Sequence, residues 1–160
     1  MKILHVTTSL GVGGAEHILF LVASKQSREG SRVSVLGLCD DGFYAERLRE
    51  RGVSVLTVFP KNLTHNRLHV LASLILHWPI ALFKIWRWKP QVIHTWMYVA
   101  DLWGGTIGRI LRIPVVWGIF SGSTNPRFYS RPTYLLLRVC GFLSRSIPTV
   151  IVSCSAYGRR

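Results

Sequence analysis

Short apolar runs and amphipathic stretches alternate along the whole chain. Residues 2–8 are apolar and β-branched and predict a strand. Over residues 14–28, Ala15, Ile18, Leu19 and Val22 recur at steps of three and four, which predicts a helix with that face inward and Gly30 as its stop. The same reading puts a strand at 32–38, a short charged helix at about 41–51 closed by Gly52, and a strand at 53–59. A long segment, 66–88, carries Leu68, Leu71, Ile75, Trp78, Leu82 and Ile85 at mixed three- and four-residue steps. Beyond it come a strand at 91–95, a helix at about 99–111, a strand at 115–120, a helix at about 132–143 and a strand at 149–153.

Alternation of this kind, with short buried strands, predicts an α/β fold: a Rossmann-like parallel sheet with helices on both faces. Ligands in open parallel sheets bind at the carboxyl ends of the strands. The informative loops are therefore those after strands one, four, five and six. The chain shows no internal repeat or low-complexity tract, and its 160 residues suit one domain. Residues 68–86 are almost long enough to span a bilayer, but His69, His77, Pro79 and Lys84 interrupt them. Lys84, Arg87 and Lys89 beside Trp78, Trp86 and Trp88 would suit a lipid headgroup region. Core packing for the tryptophans and a solvated face for the charges fit the same residues equally well.

Charge adds a preference for an anionic partner. Lys and Arg number 20 against 7 Asp and Glu, a formal net charge of +13. Six of the seven acids precede residue 51, Asp101 is the last, and eight arginines follow it. Such a surface favours a phosphorylated ligand, an acidic lipid surface or nucleic acid. Nothing resembles a nucleic-acid recognition motif, so nucleic acid is the least favoured of these. Cys39, Cys140 and Cys154 lie far apart and form no CxxC, which suits reduced thiols. The start, MKILHVTT, lacks a signal-peptide core. A cytoplasmic protein, peripheral on the inner face of the membrane, is the expectation.

Three segments could carry chemistry. The first, between strand one and its helix, contains Gly11, Gly13, Gly14 and Glu16. Glycines let a ligand approach the backbone, and the helix start favours an anion. Glu16 stands where a dinucleotide fingerprint has its third glycine, which argues against NAD. A tight turn with a first-turn acid explains the same residues. The second segment runs from strand four into its helix and offers His94, Trp96, Tyr98 and Asp101 to the cleft. Trp and Tyr can stack on a sugar or a base. Asp101 could equally cap or orient its helix, and His94 could be a core histidine; it is a weak catalytic candidate. The third is the hydroxyl-rich loop after strand five, with Ser121. No spacing suggests a metal site or a Ser-His-Asp triad.

Taken in order, Gly-Gly-Ala-Glu (13–16), Lys-Pro-Gln-Val-Ile-His-Thr-Trp-Met-Tyr-Val-Ala-Asp-Leu-Trp-Gly-Gly (89–105), Ile-Pro-Val-Val-Trp-Gly-Ile (113–119) and Thr-Val-Ile-Val-Ser-Cys-Ser-Ala (149–156) resemble the N-terminal domain of family 4 glycosyltransferases of the GT-B fold. The resemblance covers essentially the whole chain. It implies a two-domain, metal-independent, retaining hexosyl transfer from a nucleotide-sugar to a glycan or lipid-linked acceptor, with no cofactor. In that family the N-terminal domain mainly holds the acceptor. Gly11, Gly13 and Gly14 would face the donor phosphate and the acceptor, and Glu16, Trp96, Tyr98, Asp101 and Ser121 would line the substrate side. The family's donor domain supplies a basic pair and paired glutamates, and nothing in this chain resembles them. Val99 stands where the close subgroup has a histidine, and Ser121 where it has a histidine or small polar residue.

The resulting expectation is that residues 1–160 form the acceptor-side domain without a donor-binding domain. The chain would be inactive alone, as a truncated protein or one half of a split enzyme. The alternative is a non-catalytic basic Rossmann-like module that binds an anionic membrane or nucleic acid.

Overall fold

Six parallel strands form one sheet in the order β3-β2-β1-β4-β5-β6 in the computed structural model, which describes residues 1–39, 41–58, 76–120, 127 and 129–153. In chain order these are β1 (Lys2–Thr7), α1 (Gly14–Arg28), β2 (Arg32–Gly37), α2 (Gly42–Glu50), β3 (Ser54–Thr57), α3 (Trp78–Trp88), β4 (Val92–Trp96), α4 (Tyr98–Leu111), β5 (Val115–Ile119), α5 (Arg131–Leu143) and β6 (Val150–Ser153). The α/β expectation holds, and each described element lies within two residues of its predicted ends, except within the 66–88 segment. There the described helix is Trp78–Trp88, and residues 66–75 lie outside the described residues.

Register places the functional edge. Thr7 of β1 pairs with Trp96 of β4, and Trp96 pairs with Gly118 of β5, so three strand ends stand side by side. The strand order reverses between β1 and β4. One half of the sheet grows outward through β2 and β3, the other through β5 and β6. At such a switch the loops leave toward opposite faces and open a crevice between them.

The core has two layers. On one face Leu19 and Ala23 of α1 and Ala45 and Leu48 of α2 bury against Val33, Val35 and Val53. On the other, Ala81 and Ile85 of α3 and Ala100, Trp103 and Ile107 of α4 cover Leu4, Val6, Leu36 and Ile93. Val115 and Trp117 of β5 pack with Tyr98 and with Cys140 of α5 in a third cluster. One expectation for α1 is corrected. Its buried stripe is centred on Leu19 and Ala23, and Ile18 is exposed, because the helix is rotated so that the small Ala23 and Ser24 approach the sheet. Gly30 and Gly52, with φ of 84° and 76°, end α1 and α2 in the left-handed conformation that glycine accepts without strain.

Among the described residues, no helix is long and apolar enough to cross a membrane. Trp78 and Trp88 pack against the core, whereas Trp86 is exposed.

Candidate functional site

The glycine loop leaves β1 and is braced from below. Leu10 is fully buried and anchors its start. The Thr7 hydroxyl donates to the Ser9 carbonyl (3.0 Å), and the Gly11 amide donates to Ser9 Oγ (3.0 Å). The start of α2 leans on the same loop. The Tyr44 amide donates to the Leu10 carbonyl (2.9 Å), and Gly42 lies so close to the Leu10–Gly11 backbone that a Cβ there would collide with it.

Glu16 determines what the loop can hold. Gly13 caps α1 with extended backbone and no side-chain bond, and the Glu16 carboxylate folds back over it. A Cβ on residue 13 would run into that carboxylate. The partial positive charge at the start of α1 is thus already met by an acid from its own first turn. Gly14 is open, with space above it for a ligand.

The turn from β4 into α4 is the second wall. Met97 sits there with φ 70° and ψ 160°, a conformation adopted almost only by glycine, and it is the N-cap of α4. Its carbonyl accepts from the Asp101 amide (2.9 Å). Strain of this kind concentrates where a chain must turn sharply at a functional edge. Residue patterning gives no signal for it, because methionine is an ordinary residue in both strands and helices.

Several residues expected at the cleft lie inside the protein. Trp96 is 1% exposed. Its ring stacks on Phe120 (4.8 Å between centroids) and on His94 (4.6 Å), so neither face is offered to a sugar. Its indole N–H donates to His5 Nδ1 (3.0 Å), and His5 Nε2–H in turn donates to Gln26 Oε1 (2.8 Å). Indole can only donate, so this chain fixes the His5 tautomer. Sequence reading missed His5 and Gln26, since periodicity marks a position as buried but does not name its polar partner.

Asp101 is 1% exposed as well and accepts a hydrogen bond from Thr95 Oγ1 (2.5 Å). Burial raises its carboxyl to about 7, against the lowering effect of the Thr95 bond. It orients the first turn of α4 from within and does not stand in the open cleft. His94 lies in the middle of β4, two residues below the strand's end, roughly 7 Å down. Burial, with His5 as a second cause, lowers it to about 3, so it is neutral at ordinary pH and a poor acid or base. Cys140 donates to the Tyr98 carbonyl (3.5 Å); burial, then Asp101, pushes its thiol up to about 12, which makes it inert.

Tyr98 opens α4, largely buried, with its ring edge-on to Tyr129 (6.5 Å). Ser121 lies outside the described residues. The structure thus brings the glycine loop, Glu16 and the Met97–Tyr98 turn to one rim, and takes His94, Trp96 and Asp101 into its support. Among the described residues no cluster of His, Cys, Asp or Glu could hold a metal ion.

The fold is shared with several solved proteins. HepE of Anabaena, solved in complex with UDP-glucose, superposes with a TM-score of 0.74 at 23% identity, covering 99% of this chain and 39% of HepE. MurG of Acinetobacter baumannii gives 0.65 at 16%, covering 96% and 41%. CalG4, the calicheamicin glycosyltransferase, gives 0.55 at 11%, covering 91% and 42%. The chain therefore spans about two fifths of each of these proteins. Comparison with curated proteins gives no match. The family model of Glycosyltransferase Family 4 matches residues 12–160, and on that match, from the glycine loop onward, the chain belongs to Glycosyltransferase Family 4.

Proposed function

We propose that this chain is the acceptor-side wall of a sugar-transfer site, which uses a nucleotide-sugar as donor and a glycan or lipid-linked acceptor. The observation that carries the reading is the convergence of the glycine loop and the strained β4–α4 turn at the β1/β4 switch point, in a chain of this family. HepE, bound to UDP-glucose, supports a nucleotide-sugar as donor. The rim has open backbone at Gly14 for close approach and one carboxylate, Glu16, able to accept a sugar hydroxyl.

Because Glu16 already occupies the start of α1, we assign the loop to the acceptor first. A donor phosphate would meet the Gly11–Gly14 backbone from the opposite wall of a cleft. Transfer leaves negative charge on the departing phosphate, and that charge needs preorganised donors and exclusion of water. This chain's rim offers backbone amides on one side only. Chemistry by the chain alone is therefore expected to be absent, and no metal or cofactor is needed in this reading.

The test is sugar transfer and donor hydrolysis by residues 1–160 with labelled nucleotide-sugars and glycan or glycolipid acceptors. The expected result is no turnover above the uncatalysed background. Robust turnover would overturn the assignment of the chain as half of a site.

A further inference from the structure

Helix α3 is apolar on both sides. Trp78, Ala81, Leu82, Ile85 and Trp88 face the core. The opposite side carries Ile80 (51% exposed), Phe83 (58%) and Trp86 (55%), with Leu76 (73%) just ahead of the helix. Phe83 and Trp86 lie ring to ring at 5.9 Å. A surface helix of a water-soluble face normally carries polar residues there; an outer apolar stripe of this kind needs a partner.

Charge identifies the partner. Lys84, Arg87 and Lys89 are exposed among and beside these apolar side chains. No Asp or Glu occurs anywhere from residue 51 to residue 100. A second copy docked through the same stripe would set these cations against their own counterparts. An anionic bilayer surface answers both features, because it accepts aromatic rings at the acyl boundary and cations at the headgroups.

We propose that the outer face of α3 is a docking surface for anionic lipid bilayers, with Ile80, Phe83 and Trp86 inserted at the interface and Lys84, Arg87 and Lys89 on the headgroups. The helix lies in the plane of the interface and does not cross it. Since α3 packs along one face of the sheet, the rim at the strand ends stands beside the bilayer and not far above it. The proposal does not depend on sugar transfer, so either can fail without the other.

Co-sedimentation of the full 160-residue chain with phosphatidylcholine vesicles, with and without phosphatidylglycerol, tests it. Binding is expected to anionic vesicles and to weaken with salt. Combined Ile80→Ser, Phe83→Ser and Trp86→Ser substitutions should weaken it by at least about tenfold. Lys84→Gln, Arg87→Gln and Lys89→Gln together should do the same, by about tenfold or more. Quenching by brominated lipid gives a readout independent of the folding of those variants: the quenched component should be present in the native chain and reduced in Trp86→Phe. Absent vesicle binding, or binding untouched by both sets of substitutions, would overturn the proposal. So would concentration-dependent self-association that the serine substitutions abolish while vesicles are ignored.

Discussion

Asp101, His5 and His94 are held inside the protein with their proton affinities displaced in opposite directions. His5 is lowered from 6.5 to about 4, by burial against the raising effect of Gln26, and His94 to about 3. Asp101 is raised from 3.8 to about 7. In the window below 6.5 and above 4 the unfolded chain binds two protons on the histidines that the folded chain refuses. The folded chain keeps one on Asp101 that the unfolded chain has lost. The histidine contribution is present above 6.5 and lost as pH falls; the Asp101 contribution is present below 3.8 and lost as pH rises through 7. The net difference is one proton, so these three groups make stability fall by about 1.4 kcal/mol per unit as pH drops from about 6 to 4.5. Asp101→Asn keeps an acceptor for Thr95 and removes the opposing proton. Its acid limb should steepen to about 2.7 kcal/mol per unit, and it should be more stable than the native chain at pH 8. Urea unfolding across pH reads both. Equal slopes for the two proteins would show that Asp101 is not held protonated.

At the scale of elements, α4 fits the sheet through its small residues. Gly104 packs where a Cβ would stand 3.0–3.1 Å from Thr95 and Val6, and Gly105 where one would meet the Trp117 ring and Ile147. Gly104→Val should therefore cost about 1–3 kcal/mol by overpacking, measured as a shift in urea midpoint at unchanged slope. An unchanged midpoint would mean that the helix can retreat. The elements themselves were legible because runs of period two and of three to four residues mark strands and helices, and Gly30 and Gly52 end helices where such glycines do. Rotation about a helix axis was not. Ile18 reads as apolar and inward, yet packing distance is set by the smaller Ala23 and Ser24. The place of the candidate site, at the neighbouring ends of β1, β4 and β5, was more legible than its set of side chains. Trp96 and Asp101 look like cleft residues because they follow a strand end, but β4 continues through Trp96 and its side chain points into the layer held by His5. Met97 carries the sharpest turn at the rim, and nothing in its chemistry announces a positive φ.

As a whole molecule, the chain presents one rim and little acid. Its single carboxylate after Glu50, Asp101, is committed to the interior, so among the described residues every charged side chain at the surface of the later half is basic. Such a surface suits a partner rich in phosphate, whether a diphosphate donor at the rim or lipid headgroups at α3. The chain also spans about two fifths of the structures it resembles.

In the proposed function the rim formed by Gly11–Glu16 and the β4–α4 turn binds the acceptor. Amide chemical shifts of the labelled chain, followed during titration with oligosaccharide acceptors, read that contact residue by residue. Shifts are expected only at residues 9–16 and 94–101, and should be lost in Gly13→Ala, whose Cβ displaces the Glu16 carboxylate while the fold persists. Shifts clustered at the opposite edge of the sheet, or saccharide binding that Gly13→Ala leaves unchanged, would contradict it.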